Sequence, residues 1–392
     1  MRFTINEKSL LEANDEKLVN AYSKYVKNIL RNKTNMILEL TRVENAYEAN
    51  FYENNMPTAY FGPLYLPTND PVAVGEVFYV ELTPKALALL VPEETLTTFE
   101  LKPGCMVIKQ GPLIIKDSYE SSIEEVQAKL DSYIDLFDNK EGDILTFTKE
   151  DPLALYFAIL SSNPLAYLDI IDYMAVYRQG TFLHRFPTDI PGDYFINSYL
   201  ALKLTNMLTY CDKVEFIKNS TITIKGYLNN DDKDAVVINV SPVYDREEDP
   251  WTEEDIQAIR PSQSESEVET VLFEELLNVF NVAKTKIRTF LEKDANLCTF
   301  AKNGKGCTFM LSAGDEEIGM TDIAINVGEV ETEELEREAY VPYKINLPLQ
   351  YFKNTQLGAV NLSIIHDHSD QSLVEIKLDN QREGEVMVIG KE

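Results

Sequence analysis

One arrangement of apolar and polar positions occurs three times along the chain: an alternating stretch, a short helical stretch, and two more alternating stretches joined by a polar turn. Alternation with a period of two predicts half-buried strands, and apolar spacings of three and four predict helices. The three copies begin at Phe78, Tyr194 and Tyr343. Their closing strand pairs are 97–101 with 105–109, 213–217 with 221–225, and 360–364 with 373–377. The pattern therefore predicts three units of similar size.

Longer helical stretches precede the three copies, at 16–33, 151–162 and 269–293, and a further amphipathic helix is predicted at 122–137. The short helix of the third copy runs through Phe352. Because strands mostly follow strands with few helices between them, the order of elements favours an α+β fold with antiparallel sheets over a doubly wound parallel sheet.

Two polar stretches, at 138–143 and 245–269, separate the units. The second contains ten acidic residues, two arginines and two prolines, and is interpreted as an acidic linker. The predicted domains are accordingly 1–140, 141–262 with this linker, and 263–392.

The charge of the chain is unusual for a protein of ordinary globular composition. Its 36 Lys and Arg residues face 65 Asp and Glu residues, a net charge of −29 that on average repels nucleic acid and anionic membranes. No apolar run reaches the roughly 20 residues of a membrane span, and no secretory signal pattern opens the sequence. Four cysteines without a CxxC pair favour reduced core thiols. We therefore expect a cytoplasmic protein.

Two helical stretches depart from this acidic character. The stretch 16–33 has five basic residues and one acidic residue, and 283–293 has four and one. On a helical wheel the apolar residues Leu18, Tyr22, Tyr25 and Ile29 lie opposite the basic residues Lys17, Lys24, Lys27 and Arg31. In the third repeat, Lys284, Lys286 and Arg288 flank a polar helix face.

Two interpretations of these basic helices remain open. The lysines can solvate helix faces and complement helix dipoles, which is the ordinary role of such residues. They can instead contact nucleic acid, and because no set of Arg and Asn residues suited to base edges accompanies them, the contacts would be to phosphates and independent of base sequence.

Enzyme signatures are weak. Nucleotide-binding glycine patterns, HExxH and GxSxG do not occur in the sequence. His366 and His368 stand near Ser369 and Asp370, a composition more typical of a solvated turn than of a metal site. The sequence thus predicts no catalytic residues, no metal and no cofactor.

Three segments carry a resemblance to one family. The opening Met1-Arg-Phe-Thr-Ile5 with Leu10 and Leu11, the run Glu100-Leu-Lys-Pro-Gly-Cys-Met-Val-Ile108, and the terminal Glu385-Val-Met-Val-Ile-Gly390 are similar to segments of the bacterial-type DNA sliding clamp, the beta subunit of the replicative DNA polymerase. The resemblance spans the whole chain as an order and spacing of elements. Its divergence fits a phage member of the family.

The resemblance implies three tandem clamp domains, each with antiparallel sheets outside and two helices inside, and two subunits closing a ring around double-stranded DNA. It implies a non-enzymatic processivity factor in the cytoplasm of a bacterium or infected host. The residues implied to contact DNA are Lys24, Lys27, Arg31, Lys85, Lys203, Lys284, Lys286, Arg288 and Lys353. The helix at 151–162 departs from this pattern, since it is apolar all round and has no cation.

The resemblance also implies a cleft in which DNA polymerase and clamp loader insert short peptides. By position it consists of Leu168, Phe182, Val388 and Ile389. Three other functions remain open: a monomeric clamp-like processivity or transcription accessory factor, an acidic three-repeat protein scaffold that does not contact DNA, and a hydrolase using carboxylates with His366 and His368.

Overall fold

The protein is described by a computed structural model, which forms two compact units: residues 1–154 with 203–243, and residues 155–202 with 244–392. The described residues are 1–32, 35–53, 58–102, 105–118, 128, 130, 137, 142–246, 249–260, 266–272, 297–303, 306–315, 319–329, 332–333, 343–348, 361–367, 373–378 and 381–390.

The helices described in full are α1 (Glu7–Ala13), α2 (Glu16–Asn32), α3 (Pro84–Ala88), α4 (Pro152–Ser161), α5 (Ser198–Leu208) and α6 (Glu253–Ile259). The strands of the first unit are β1 (Arg2–Ile5), β2 (Met36–Arg42), β3 (Ala46–Glu53), β4 (Thr58–Pro67), β5 (Val77–Leu82), β6 (Thr97–Lys102), β7 (Cys105–Gln110), β8 (Leu113–Ser118), β9 (Asp143–Thr148), β14 (Lys213–Lys218), β15 (Thr221–Tyr227) and β16 (Val237–Pro242).

The strands of the second unit are β10 (Ala166–Ile171), β11 (Met174–Gln179), β12 (Phe182–Pro187), β13 (Asp193–Asn197), β17 (Ser266–Leu272), β18 (Leu297–Asn303), β19 (Gly306–Asp315), β20 (Gly319–Glu329), β21 (Thr332–Glu333), β22 (Tyr343–Pro348), β23 (Asn361–Asp367), β24 (Leu373–Leu378) and β25 (Val386–Gly390).

The first unit contains an eight-stranded sheet in the order β5-β2-β3-β4-β16-β15-β14-β9 and a four-stranded sheet in the order β1-β6-β7-β8. The pairing of β4 with β16 joins strands from the first and second predicted domains into one sheet, with Phe61 opposite Val237. Backbone hydrogen bonding is therefore continuous across that predicted boundary.

The second unit has the same plan, with a nine-stranded sheet in the order β13-β10-β11-β12-β25-β24-β23-β17-β21 and a four-stranded sheet in the order β20-β19-β18-β22. Here β12 pairs with β25, which places Phe182 opposite Ile389. All described strand pairs are antiparallel, so the predicted α+β class with antiparallel sheets is confirmed. The strands predicted in all three repeats are present.

Helix α2 follows the predicted wheel. Tyr22, Tyr25 and Ile29 are buried, and the Tyr22 and Tyr25 rings pack on Phe61 with ring centroids 5.9 and 4.7 Å apart. The Tyr22 hydroxyl donates a hydrogen bond to the carbonyl of Leu90 at 3.1 Å. Apolar spacing thus fixes which face of α2 meets the sheet, and this part of the prediction is confirmed.

Several predicted elements differ from the structure. The stretch 245–269, interpreted as an acidic linker, contains helix α6 and the start of strand β17. Residues 269–272 are strand and not helix, and the rest of the helix predicted to residue 293 lies outside the described residues, as does the short helix through Phe352. Of the helix predicted at 122–137, residues 128, 130 and 137 are described and all are helical.

The apolar helix of the sequence analysis, α4, buries Leu153, Tyr156, Phe157, Ile159 and Leu160. Its uniform apolarity is therefore explained by burial on several sides. Among the residues that the structure describes, no helix is long and apolar enough to cross a membrane.

Candidate functional site

The basic face of α2 lies opposite its buried stripe, and both Lys24 and Lys27 are exposed there. Part of this face is bound by the chain itself. Lys24 Nζ donates to the carbonyl of Thr209 at 2.9 Å, just beyond the end of α5. Lys17 Nζ lies 2.9 Å from Asp212 Oδ2 and 2.7 Å from Asn229 Oδ1. Lys24 therefore has a structural contact as well as an exposed side chain.

A further exposed cation, Lys85, lies on α3, which packs against α2. The helix begins where the Thr83 hydroxyl accepts a hydrogen bond from the amide of Ala86, with Pro84 at the first helical position. Ala86 and Leu87 are buried, so the inner face of the helix is apolar. The structure thus brings Lys27 and Lys85 onto neighbouring helices of the first unit.

Lys203 has a different environment. It is half-buried on α5 and shares the lining of a small polar cavity with Glu53, Tyr25 and Tyr210. Burial raises the pKa of Glu53, and the positive charge of Lys203 opposes this rise. Lys203 therefore compensates a buried carboxylate within the first unit.

The remaining predicted contacts are only partly described. Arg31 lies in the last turn of α2, and its side chain is outside the described residues. Lys284, Lys286, Arg288 and Lys353 lie outside the described residues altogether.

The four residues predicted for the peptide cleft are all buried in the large sheet of the second unit. Strand alternation divides them between its two faces. Phe182 and Ile389 are opposite each other on β12 and β25, and Leu168 on β10 shares their face through the partners Tyr177 and His184. Val388 points to the opposite face, where its strand partner is Leu183. The set therefore does not line a single surface.

The face that carries Val388 is covered by a segment that the sequence analysis missed. We call residues 244–246 and 249–260 the strap. Its Ile256 is fully buried in an apolar cluster, against which Trp251 and Ile259 pack; the sheet residues of the cluster are Val176, Leu183, Val386 and Val388. Next to Trp251 is a cavity of about 540 Å³ lined in part by Ile171, Met174 and Arg185.

Ion pairs hold the strap at both ends and in the middle. Arg246 binds the buried Asp169 through Nε at 2.5 Å and also binds Asp193. Glu253 pairs with Arg185. Arg260 makes a two-point contact with the buried Glu375, at 2.7 and 3.2 Å.

The strap helix α6 begins with a capping box. The Thr252 hydroxyl accepts a hydrogen bond from the amide of Asp255, and the Asp255 carboxylate accepts one from the amide of Thr252 at 2.8 Å. The Thr252 hydroxyl also donates a hydrogen bond to Asp255 Oδ2 at 2.6 Å, and this bond, together with the one from the Thr252 amide, lowers the pKa of the Asp255 carboxyl. A capping box followed by Ile256 and Ile259 is the sequence signal that could have revealed the strap.

His184, which the sequence analysis did not use, is fully buried in a hydrogen-bonded network. Its Nε2 lies 2.6 Å from Glu385 Oε1, and its Nδ1 lies 3.3 Å from the Tyr156 hydroxyl. Burial lowers the pKa of His184, so the ring is neutral, with Nε2–H donating to Glu385 and the Tyr156 hydroxyl donating to Nδ1. Burial alone would raise the pKa of Glu385, but the hydrogen bonds from His184 and the Arg382 amide hold it below its usual value.

We expect Glu385→Gln to destabilise the protein by about 1–3 kcal/mol at pH 7, because a hydrogen bond to a charged acceptor is lost. Since the folded pKa of Glu385 is lowered, its stabilising effect is present above about pH 4.3 and is lost as the pH falls through the folded value. Urea unfolding at pH 7 and at lower pH should show the gap to wild type closing on acidification. Glu383→Gln, at a neighbouring exposed position, is the control; a gap that stays constant with pH contradicts the assignment.

In the described part of the chain, no group of three His, Cys, Asp or Glu side chains could hold a metal ion. His366 lies in strand β23 rather than in the predicted turn, opposite Val374 and Glu267, while His368 is outside the described residues. Cys105 and Cys211 are free thiols, and burial raises the pKa of Cys211 to about 12.

Similar proteins were found by structure and not by sequence. No protein-family model matches the chain, and no curated protein sequence matches it. The DNA polymerase III subunit beta of Pseudomonas aeruginosa has a similar structure, with a TM-score of 0.57 and 12% sequence identity. So do the DNA polymerase III subunit beta sliding clamp of Bartonella birtlesii (0.58, 11%) and the DNA polymerase sliding clamp of Bacillus subtilis (0.56, 16%).

Each of these matches covers 100% of this chain and 99% of the other chain. The similarity thus extends over almost the whole of both chains, even though few residues are identical. The chain has the fold of the bacterial DNA polymerase III beta sliding clamps.

Proposed function

We propose that the chain is a DNA sliding clamp, a non-enzymatic ring that tethers a replicative DNA polymerase to duplex DNA. The observation that carries this proposal is the structural match to bacterial sliding clamps over the whole chain. The proposed ring is a homodimer in the cytoplasm, and DNA polymerase and clamp loader are its proposed protein partners.

The distribution of charge supports the proposal. In a chain with a net charge of −29, Lys27 and Lys85 are exposed on neighbouring helices of the first unit. Lysine ammonium groups on such a surface neutralise phosphates without reading bases, which permits sliding. Lys27 and Lys85 come first among the proposed contacts, because Lys24 and Lys203 also have roles within the chain.

The other proposed phosphate contacts are Arg31, Lys284, Lys286, Arg288 and Lys353. Helix α4 has no basic residue, so the proposed DNA contacts of the middle domain fall to α5, where Lys203 lies.

Native mass and retention on DNA test this proposal together. We expect a mass of twice the 44.7 kDa chain, and we expect the loaded ring to stay on a closed DNA circle while sliding off the same DNA after it is cut. Retention should survive moderate salt, because topology and not affinity holds the ring.

Other outcomes assign another function. A monomer that binds linear and circular DNA equally would be an accessory factor that holds DNA on one face. A multimer with no affinity for DNA at low salt would be an acidic binding scaffold, in which the basic helices contact an acidic protein.

A further inference from the structure

The strap covers a sheet face whose chemistry is well defined. The centre of this face is apolar and consists of Val176, Leu183, Val386 and Val388. Two buried carboxylates, Asp169 and Glu375, lie on the same face, and both bind strap arginines. Two arginines of the face complete the set: Arg185 binds Glu253, and the Arg178 guanidinium lies 5.4 Å from the centroid of the Trp251 ring.

The strap buries few apolar side chains. Between residues 251 and 260, Ile256 alone is buried, and Trp251 and Ile259 are partly buried. The six residues Thr252, Glu253, Glu254, Asp255, Gln257 and Ala258 are exposed. A seven-residue helix of this kind is not stable by itself in water, so its order depends on these few apolar anchors and on the ion pairs of the strap. Segments with few buried apolar contacts are those that open first.

We propose that this sheet face is a docking surface for peptides, that the strap is its resident occupant, and that a protein partner binds by displacing the strap. The proposal rests on the proposed function, because it concerns the partners of a clamp. The occupant that fits is a peptide with the chemistry of the strap: basic residues at both ends for Asp169 and Glu375, an aromatic residue beside Arg178, an acidic residue for Arg185, and an aliphatic residue for the apolar centre.

The strap therefore acts as a competitor within the chain. A partner peptide must bind the sheet face more tightly than the strap does, or be tethered close to that face, before it occupies the face. Weak partners are excluded while the strap is in place, since ligand and strap bind the same residues.

The test uses a labelled synthetic peptide with the sequence of residues 244–260, added to the full chain. In Trp251→Ala/Ile256→Ala the two main anchors of the resident strap are shortened. We expect this variant to bind the peptide about tenfold or more tightly than wild type, because competition within the chain is weakened. A peptide carrying the same two alanines is the matched control and should not bind. Equal affinity of both proteins for the peptide, or binding to neither, overturns the proposal.

A charge exchange tests the location. Arg185→Glu in the strap-weakened chain should reduce peptide affinity about tenfold, and a peptide with Glu253→Arg should restore it. If Arg185→Glu reduces the affinity for the peptide and the Glu253→Arg peptide does not restore it, the peptide binds elsewhere and the proposal is overturned.

Hydrogen exchange of the wild-type chain gives an answer even if the variants fold poorly. Excess peptide should speed amide exchange across residues 253–259 of the resident strap, and unchanged exchange at saturating peptide overturns the proposal. DNA retention is measured separately. If the peptide does not compete with the strap but the protein is retained on circular DNA, this inference alone is wrong. If the peptide competes but the protein is not retained on circular DNA, the proposed DNA function is wrong.

Discussion

Reversing two charges, by Lys27→Glu together with Lys85→Glu, should weaken the binding of the protein to short duplex DNA at physiological salt and reduce the salt dependence of that binding. Both lysines are exposed and lie on helices that pack together. If each neutralises one phosphate, the slope of log affinity against log salt should fall in magnitude by about 2, since each contact contributes about 0.9. The measurement is binding to short duplex DNA across a salt series.

The matched control is Lys8→Glu with Lys102→Glu, which changes the net charge by the same amount at exposed positions of the same unit. Equal loss in both double variants would mean that overall charge, and not this surface, governs DNA binding. Unchanged thermal melting of both variants confirms that the fold is intact.

Truncating Tyr22 by Tyr22→Ala should lower the free energy of unfolding by about 3–5 kcal/mol, because a large side chain is removed from a close-packed core. The Tyr22 ring is fully buried and packs on Phe51, with ring centroids 5.2 Å apart, and on Phe61. Tyr22→Phe keeps this packing and loses only the hydrogen bond to Leu90, so it should cost about 1 kcal/mol. Urea unfolding followed by circular dichroism measures both changes.

The control for this series is Val74→Ala, at a position that is 68% exposed, for which a change within about 0.5 kcal/mol is expected. A similar loss for Tyr22→Phe and Tyr22→Ala would show that the hydroxyl, and not the packing of the ring, dominates. In that case the apolar stripe would not be what fixes the orientation of α2.

The elements with strong periodicity were predictable from the sequence. In α2, apolar residues at spacings of three and four fix the buried face, and in the repeats alternating residues fix the strand pairs. The strap was missed because ten acidic residues dominated the interpretation of 245–269. Its signal was local and weaker, a capping box at Thr252 and Asp255 followed by two isoleucines.

The site was less predictable than the fold, for two physical reasons. Neighbouring residues of a strand point to opposite faces, so Val388 and Ile389 could not both line one surface, and only the strand register shows which face is covered. Contacts between residues distant in sequence leave no local pattern. The hydrogen bond from Lys24 to Thr209 spans 185 residues and is invisible on a helical wheel.

The position of Trp251 has a practical consequence. It is the single tryptophan of the chain, and it is partly buried beside the Arg178 guanidinium. Tryptophan fluorescence therefore reports on one location among the 392 residues. Displacement of the strap into water should shift the maximum of tryptophan fluorescence to longer wavelength. The fluorescence of the unlabelled protein therefore shows whether the sheet face is covered by the strap or by another molecule.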